Sequence, residues 1–137
     1  MDGPGRRADC DDSKGELVMS FRTGADYPPF VAPLFVPANR SDRFRKAAAS
    51  GADALILDLE DAVPPEAKHA ARAALIAGFT DLPIFVRINA AGTEWHEQDL
   101  AAVAGLSVAG IMVPKAESVS VLEKASRIAP VIALIET

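Results

Sequence analysis

Cysteine is almost missing from this chain. Its one thiol, Cys10, lies in a polar leader, closes no internal disulfide and matches neither a zinc pattern nor a nucleophile setting. Long apolar runs are missing as well: none approaches the roughly 18 residues that a membrane-crossing helix needs. Nor does the N-terminus show the charged, then apolar, then small layout of a secretory signal, so a cytoplasmic location is the expectation. Positive charge is in deficit. Fourteen Lys and Arg against nineteen Asp and Glu leave a net charge of -5, which argues against nucleic acid or an anionic membrane, because both require clustered cations to displace counterions. The expected partner is a small molecule. No Ser, Cys and His triad is assembled, and Gly3-Pro4-Gly5 is no phosphate-cradling loop, since neither a strand precedes it nor a helix follows.

What is present is a chain of 137 residues, half of them hydrophobic and 24% charged, the composition of one soluble globular domain. Residues 1–29 mix Gly, Asp, Arg, Lys and Pro without periodicity and read as a disordered N-terminal leader without a function of its own; Met19 is the expected true start. Residues 30–137 read as the folded part.

Within that part, strands and helices alternate. Pro33 to Val36 reads as a strand ended by Pro37, and Ser41 as the N-cap of a helix over residues 42–50 closed by Gly51. Ala54 to Leu59 is a second strand. Pro65 opens a helix through Ala77, where Glu66 favours the positive end of the dipole. Pro83 to Ile88 is a third strand, and Glu94 to Ala104 a helix with Leu100 and Val103 inward and Gly105 at its end. Gly110 to Val113 is a fourth strand. Ser118 caps a helix over residues 119–128, and Val131 to Ile135 is a fifth strand running into Glu136 and Thr137.

Strands thus begin about every 25 residues with a helix between each pair, which calls for an α/β fold with a parallel sheet. A doubly wound sheet and a (β/α)8 TIM barrel both fit that alternation. The fifth strand has no helix after it to cover it, so the expectation is about the first half of a barrel, five parallel strands and four helices.

Four of these strands deliver charge close to their C-terminal ends, where α/β enzymes keep their chemistry: Asp58, Glu60 and Asp61; Arg87; Lys115 and Glu117; Glu136. In a barrel they converge on one mouth. Alternation along a strand puts Asp58 and Glu60 on one side and Asp61 on the other, so the acids do not share one ligand; either side could hold metal-bound water or orient Arg87. Arg87 offers a planar fork suited to a substrate carboxylate, or to a neighbouring acid in the interior. Glu136 follows an aliphatic run and would need pairing or a metal to stay ionised there. His69 is expected on a helix face and His96 in solvent.

In order and at similar spacing, Leu34 to Arg40, Leu57 to Val63, Val86 to Asn89, Val113 to Glu117 and Ala133 to Thr137 resemble the citrate lyase β-subunit branch of the HpcH/HpaI aldolase family. The resemblance covers residues 33–137. It implies a Mg²⁺-dependent barrel that makes or breaks the carbon-carbon bond between an acetyl-CoA-type unit and a 2-oxo acid, in homotrimers or hexamers. It further implies that Arg87 grips the oxo-acid carboxylate with Asn89 beside it, that Glu136 is one metal ligand, that Glu60 and Asp61 surround the metal waters, and that Lys115 and Glu117 line the same mouth. The second metal ligand, an aspartate after the next strand, lies beyond this sequence. Lys115 sits among acids that keep it protonated, so no Schiff base is expected. Two other readings stand beside a lyase of citryl-CoA, malyl-CoA or citramalyl-CoA type: a metal-dependent aldolase of free 2-oxo acids, and an inactive fragment lacking that second ligand.

Overall fold

The computed structural model describes residues 30–136. The leader at 1–29, Cys10 and the Met19 start lie outside the described residues. Five parallel strands form one sheet: β1 (Pro33–Pro37), β2 (Ala54–Asp58), β3 (Ile84–Arg87), β4 (Gly110–Val113) and β5 (Val131–Ala133). Between them lie α1 (Phe44–Ala48), α2 (Lys68–Ala73), α3 (His96–Ala104) and α4 (Val119–Ser126). The sheet order is β1-β2-β3-β4-β5. A doubly wound sheet reverses its order at a switch point, and this one never does. Strands laid down in strict succession with helical crossovers curl toward a barrel.

Which face the helices cover makes the same point. Val36, Leu57, Val86 and Ile111 stand in register across the sheet and belong to one core with Phe44 of α1, Ala71 of α2, Leu100 and Val103 of α3 and Ala125 of α4. The alternate residues Ile56, Phe85 and Met112 form a separate, smaller cluster with Phe30, Ile132 and Leu134. All four helices therefore cover one face, as they do outside a barrel. Gly110 lets that inner row close up: a Cβ there would stand 2.9 Å from the Pro130 carbonyl and 3.2 Å from the Phe85 ring.

The helices are shorter than the sequence pattern calls for. Ser41 to Arg43 is a 3₁₀ turn, the α-helix runs only from Phe44 to Ala48, and Ser41 makes no side-chain cap. Arg40 occupies that place, and its guanidinium engages Asp42, the acid of the first turn. Gly51 does adopt the expected positive φ, +99°. Pro65 to Ala67 is likewise 3₁₀, and α2 stops at Ala73 rather than Ala77. Leu75 is buried in the core beyond that end, so tertiary packing overrides the helical preference of the alanines. At α4, Ser118 holds the N-cap position without a capping bond, its hydroxyl pairing with that of Ser120 instead. β2 ends at Asp58, and β5 at Ala133, with Ile135 81% exposed. No helix among the described residues is long and apolar enough to cross a membrane.

Candidate active site

Register builds the centre of the site. Pro37, Asp58, Arg87, Met112 and Ile132 are lateral neighbours on successive strands, so Asp58 and Arg87 emerge side by side on the inner face. The Arg87 Nε donates to Asp58 Oδ1 at 2.9 Å and its Nη2 to Asp58 Oδ2 at 2.7 Å, a bidentate pair. Asp58 also accepts the backbone N–H groups of Glu60 (2.9 Å) and Ala62 (3.1 Å), so one buried carboxylate ties the loop after β2 to the end of β3. Glu60, two residues on and on the same side, brings Oε1 to 3.4 Å from Arg87 Nη1. The Phe35 ring lies 4.8 Å from the guanidinium carbon. The hydrogen bonds it donates to Asp58 raise the Arg87 pKa above its ordinary value, so this cation stays charged. Glu60 goes the other way. Burial raises its carboxyl above the usual range, against the pull of Arg87 and Lys115 and with the push of Asp61 and Asp58.

Lys115 stands between two acids. Its ammonium is 3.9 Å from Glu60 Oε2, and its backbone N–H donates to Glu136 Oε1 at 3.2 Å. Its φ of +48°, rare outside glycine, turns the chain just after β4. Glu136 is exposed, which corrects the apolar setting expected from its aliphatic neighbours: β5 ends three residues earlier, so the carboxylate meets solvent and a backbone donor. Asp61 is exposed and lines a cleft of about 320 Å³ with Glu60, Lys68, Asn89, Trp95 and Lys115. Glu117 is exposed in the β4–α4 loop and does not line that cleft.

Sequence reading missed the layer behind these groups. Lys68 is 5% exposed, donates to the Leu59 and Glu60 carbonyls at 2.8 Å each, and lies 5.0 Å from the Trp95 ring centre. Asp99, fully buried, accepts from Arg72 Nε (3.0 Å), Asn89 N (2.8 Å) and Asn89 Nδ2 (2.7 Å). The side-chain amide of Asn89 also donates to Leu59 O at 3.0 Å. Asn89 lines the cleft and directs both amide hydrogens inward, to Asp99 and Leu59 O, which would otherwise be buried with fewer donors. His96 is buried with Nδ1 2.8 Å from Asn89 O, which corrects its expected exposure: it opens α3 on the same face as Asp99, Leu100 and Val103. His69 is exposed on α2, as expected. The missed residues did leave a signal. Lys68, Ala71 and Leu75 recur at helical spacing on one buried face, as do His96, Asp99, Leu100 and Val103.

Residues 32–133 match the sequence signature of the HpcH/HpaI aldolase/citrate lyase family. The chain belongs to that family. It is 51% identical over 110 residues to a citrate lyase subunit beta-like protein of Mycobacterium tuberculosis, a match covering 76% of this chain and 38% of the relative. Two proteins of Cereibacter sphaeroides are also similar: a (3S)-malyl-CoA thioesterase, 35% identical over 74% of this chain and 38% of that protein, and an L-malyl-CoA/beta-methylmalyl-CoA lyase, 41% identical over 71% and 34%. Among solved structures, a citrate lyase beta subunit from M. tuberculosis complexed with oxaloacetate and magnesium superposes with a TM-score of 0.67 and 42% identity, over 87% of this chain and 51% of that one. The chain thus spans about half of that structure and under two fifths of these curated relatives. Its five strands and four helices are the expected α/β fold, about the first half of a (β/α)8 barrel.

The residues present fit a divalent cation in part. Among the described residues no group of three His, Cys, Asp or Glu side chains converges. Mg²⁺ keeps several waters and takes one or two protein carboxylates. Glu136, beyond the end of β5 and accepting the Lys115 backbone N–H, supplies one hard oxygen donor of that kind.

Proposed function

We propose that residues 30–137 form the N-terminal half of a Mg²⁺-dependent carbon-carbon lyase domain. It acts on a β-hydroxyacyl-CoA of the citryl-CoA, malyl-CoA or citramalyl-CoA type, giving an acetyl-CoA-type thioester and a 2-oxo acid, in a homotrimer or hexamer. The observation that carries this reading is the Asp58–Arg87 pair in a chain of this family. Asp58 grips Arg87 side-on through Nε and Nη2, which fixes the plane of the guanidinium at the strand ends. The N–H groups of Nη1 and the second of Nη2 remain for a carboxylate, with Glu60 beside them. A cation oriented before the substrate arrives stabilises an anionic oxo acid without reorganising. Glu136 would hold Mg²⁺, which when bound supplies Lewis-acid polarisation of a carbonyl oxygen. Asp61 and Lys115 line the same cleft as Glu60, a setting that supports roles at the metal waters and at the substrate; Glu117, at the rim, would act at the mouth only.

The test is turnover of citryl-CoA and malyl-CoA by the full-length protein with Mg²⁺, with products identified. A 2-oxo acid and a shortened thioester are expected, whereas free CoA with an intact hydroxy acid would assign a thioesterase. Arg87→Ala should cost on the order of 2–5 kcal/mol in kcat/KM, as truncation of one partner of a buried charge pair does. Unchanged turnover would remove Arg87 from the site.

A further inference from the structure

We propose that Lys68 is the positioning residue of this site, a buried ammonium that clamps the peptide carrying Glu60 and so sets that carboxylate against Arg87. The assignment of the site as catalytic rests on the function proposed above; the clamp itself rests on geometry. Loops after barrel strands are ordinarily free to vary, yet here the chain from Leu59 to Ala62 is held from both sides. On one side Asp58 accepts the N–H groups of Glu60 and Ala62. On the other, Lys68 donates to two successive carbonyls, Leu59 O and Glu60 O, at 2.8 Å each. Leu59 O takes a second hydrogen bond from Asn89 Nδ2 at 3.0 Å, which joins the clamp to Asp99 and, through it, to Arg72 of α2. The peptide group before Glu60 is thereby fixed at donor and acceptor alike, and the one after it at its carbonyl.

The chemistry of Lys68 points the same way. Lysine is rarely buried unless it is paired, and its ammonium here makes both hydrogen bonds to backbone carbonyls rather than to a carboxylate. Its remaining side faces the Trp95 ring at 5.0 Å, within cation–π range. Burial lowers its pKa, while Asp99, Asp58, Glu60 and Asp61 hold it up. Helix α2 alone would be as well served by an alanine at this buried position, flanked as it is by Ala67, Ala70 and Ala71. What Lys68 adds is reach: from the first turn of α2 it spans back to the end of β2. Arg87 keeps its bidentate partner Asp58 when Lys68 is lost, so the effect falls on Glu60.

The experiment compares full-length wild type with Lys68→Met, which keeps the apolar stem and loses the donors, and with Lys68→Arg, which restores charge and donors. Amide exchange at Glu60 and Ala62 reads the clamp directly, without reference to any activity. Lys68→Met is expected to fold, to lose about tenfold or more of the protection at those two amides, and to shift the emission of Trp95. If the protein is a lyase, kcat falls about tenfold with KM for the acyl-CoA ester changed less than about threefold. Lys68→Arg recovers part of the protection and of kcat. A folded Lys68→Met with unaltered protection at Glu60 and Ala62 overturns the proposal. Should Lys68→Met fail to fold, the wild-type amides decide: slow exchange, like that of the β2 strand, supports the clamp, and exchange as fast as in an open loop overturns it. A wild type without lyase turnover but with the exchange effect would sink the catalytic reading and leave the clamp standing.

Discussion

The two faces of the sheet are made by the same five strands and do different things. On the outer face Leu55, Leu57, Ile84, Val86, Ile111 and Val113 meet side chains from all four helices, and the row is buried throughout. On the inner face Ile56, Phe85 and Met112 form a small cluster, Phe35 is 45% exposed, and the row across the sheet that holds Met112 also carries Asp58 and Arg87. Burial of apolar area holds the outer face together at about 25 cal/mol for each square ångström removed from water. The inner face holds its end of the sheet by a charge pair and hydrogen bonds to backbone. A barrel strand can serve both ends because its side chains alternate with a period of two.

Removing Asp58 should break that division most severely. Asp58→Ala leaves Arg87 without its bidentate partner and frees the N–H groups of Glu60 and Ala62. A loss of about 3–5 kcal/mol is expected, as when one partner of a buried ion pair is deleted, read from urea unfolding of the full-length protein at neutral pH. The inner face would then match the outer core in weight. A loss under about 1 kcal/mol would mean that Arg87 simply transfers to Glu60, and that the pair orients groups without contributing to stability.

Two phenylalanines compare the faces with chemistry held constant. Phe44 of α1 is 1% exposed and stacks on Phe79 with ring centres 5.4 Å apart; Phe35 of β1 covers Arg87 from the inner face. Phe44→Ala should cost about 3–5 kcal/mol by leaving a cavity. Phe35→Ala should cost only about 1 kcal/mol, mostly the ring's contact with the guanidinium. Equal losses from the two substitutions in parallel denaturation curves would show that the inner face is as closely packed as the outer one, and the two faces would not differ in packing.

Most of the fold could be read from the chain because period and punctuation are strong signals. Each of the five strands lies within a run of apolar or β-favouring residues, four of them opening at or directly after a Gly or Pro, and the alternation forced a parallel sheet. Alternation also placed Asp58 and Glu60 together on one side, and both meet Arg87. Helix lengths were misread because alanine-rich runs promise more helix than the packing of Leu75 allows. The polar layer behind the site was invisible for a different reason. Lys68, Asp99 and His96 look like surface residues by type, and only their coincidence with the apolar spacing of their helices places them inside. Pairing Lys68 with carbonyls from another element, or Asp99 with Arg72 and Asn89, depends on long-range contacts that spacing does not encode.

The smallest predicted effect sharpens the comparison in electrostatic terms. A carboxylate on the inner face should weaken folding over part of the pH range, whereas an apolar residue on the outer face has no such dependence. Burial raises the Glu60 carboxyl above its ordinary value of about 4.5, and the opposing pull of Arg87 does not reverse this. The folded protein then binds the Glu60 proton more tightly than the unfolded chain does. Its stabilising contribution is fully present below the ordinary value and is lost as pH rises through the raised one. Glu60→Gln, which stays neutral, removes that segment of the profile. Relative to wild type, the variant should gain stability as pH climbs from about 4 to neutrality, with the change centred between the unfolded and folded values. A difference that stays flat across that range would mean that Arg87 and Lys115 fully offset the burial of Glu60. The carboxylate would then carry no folding penalty for standing beside the guanidinium.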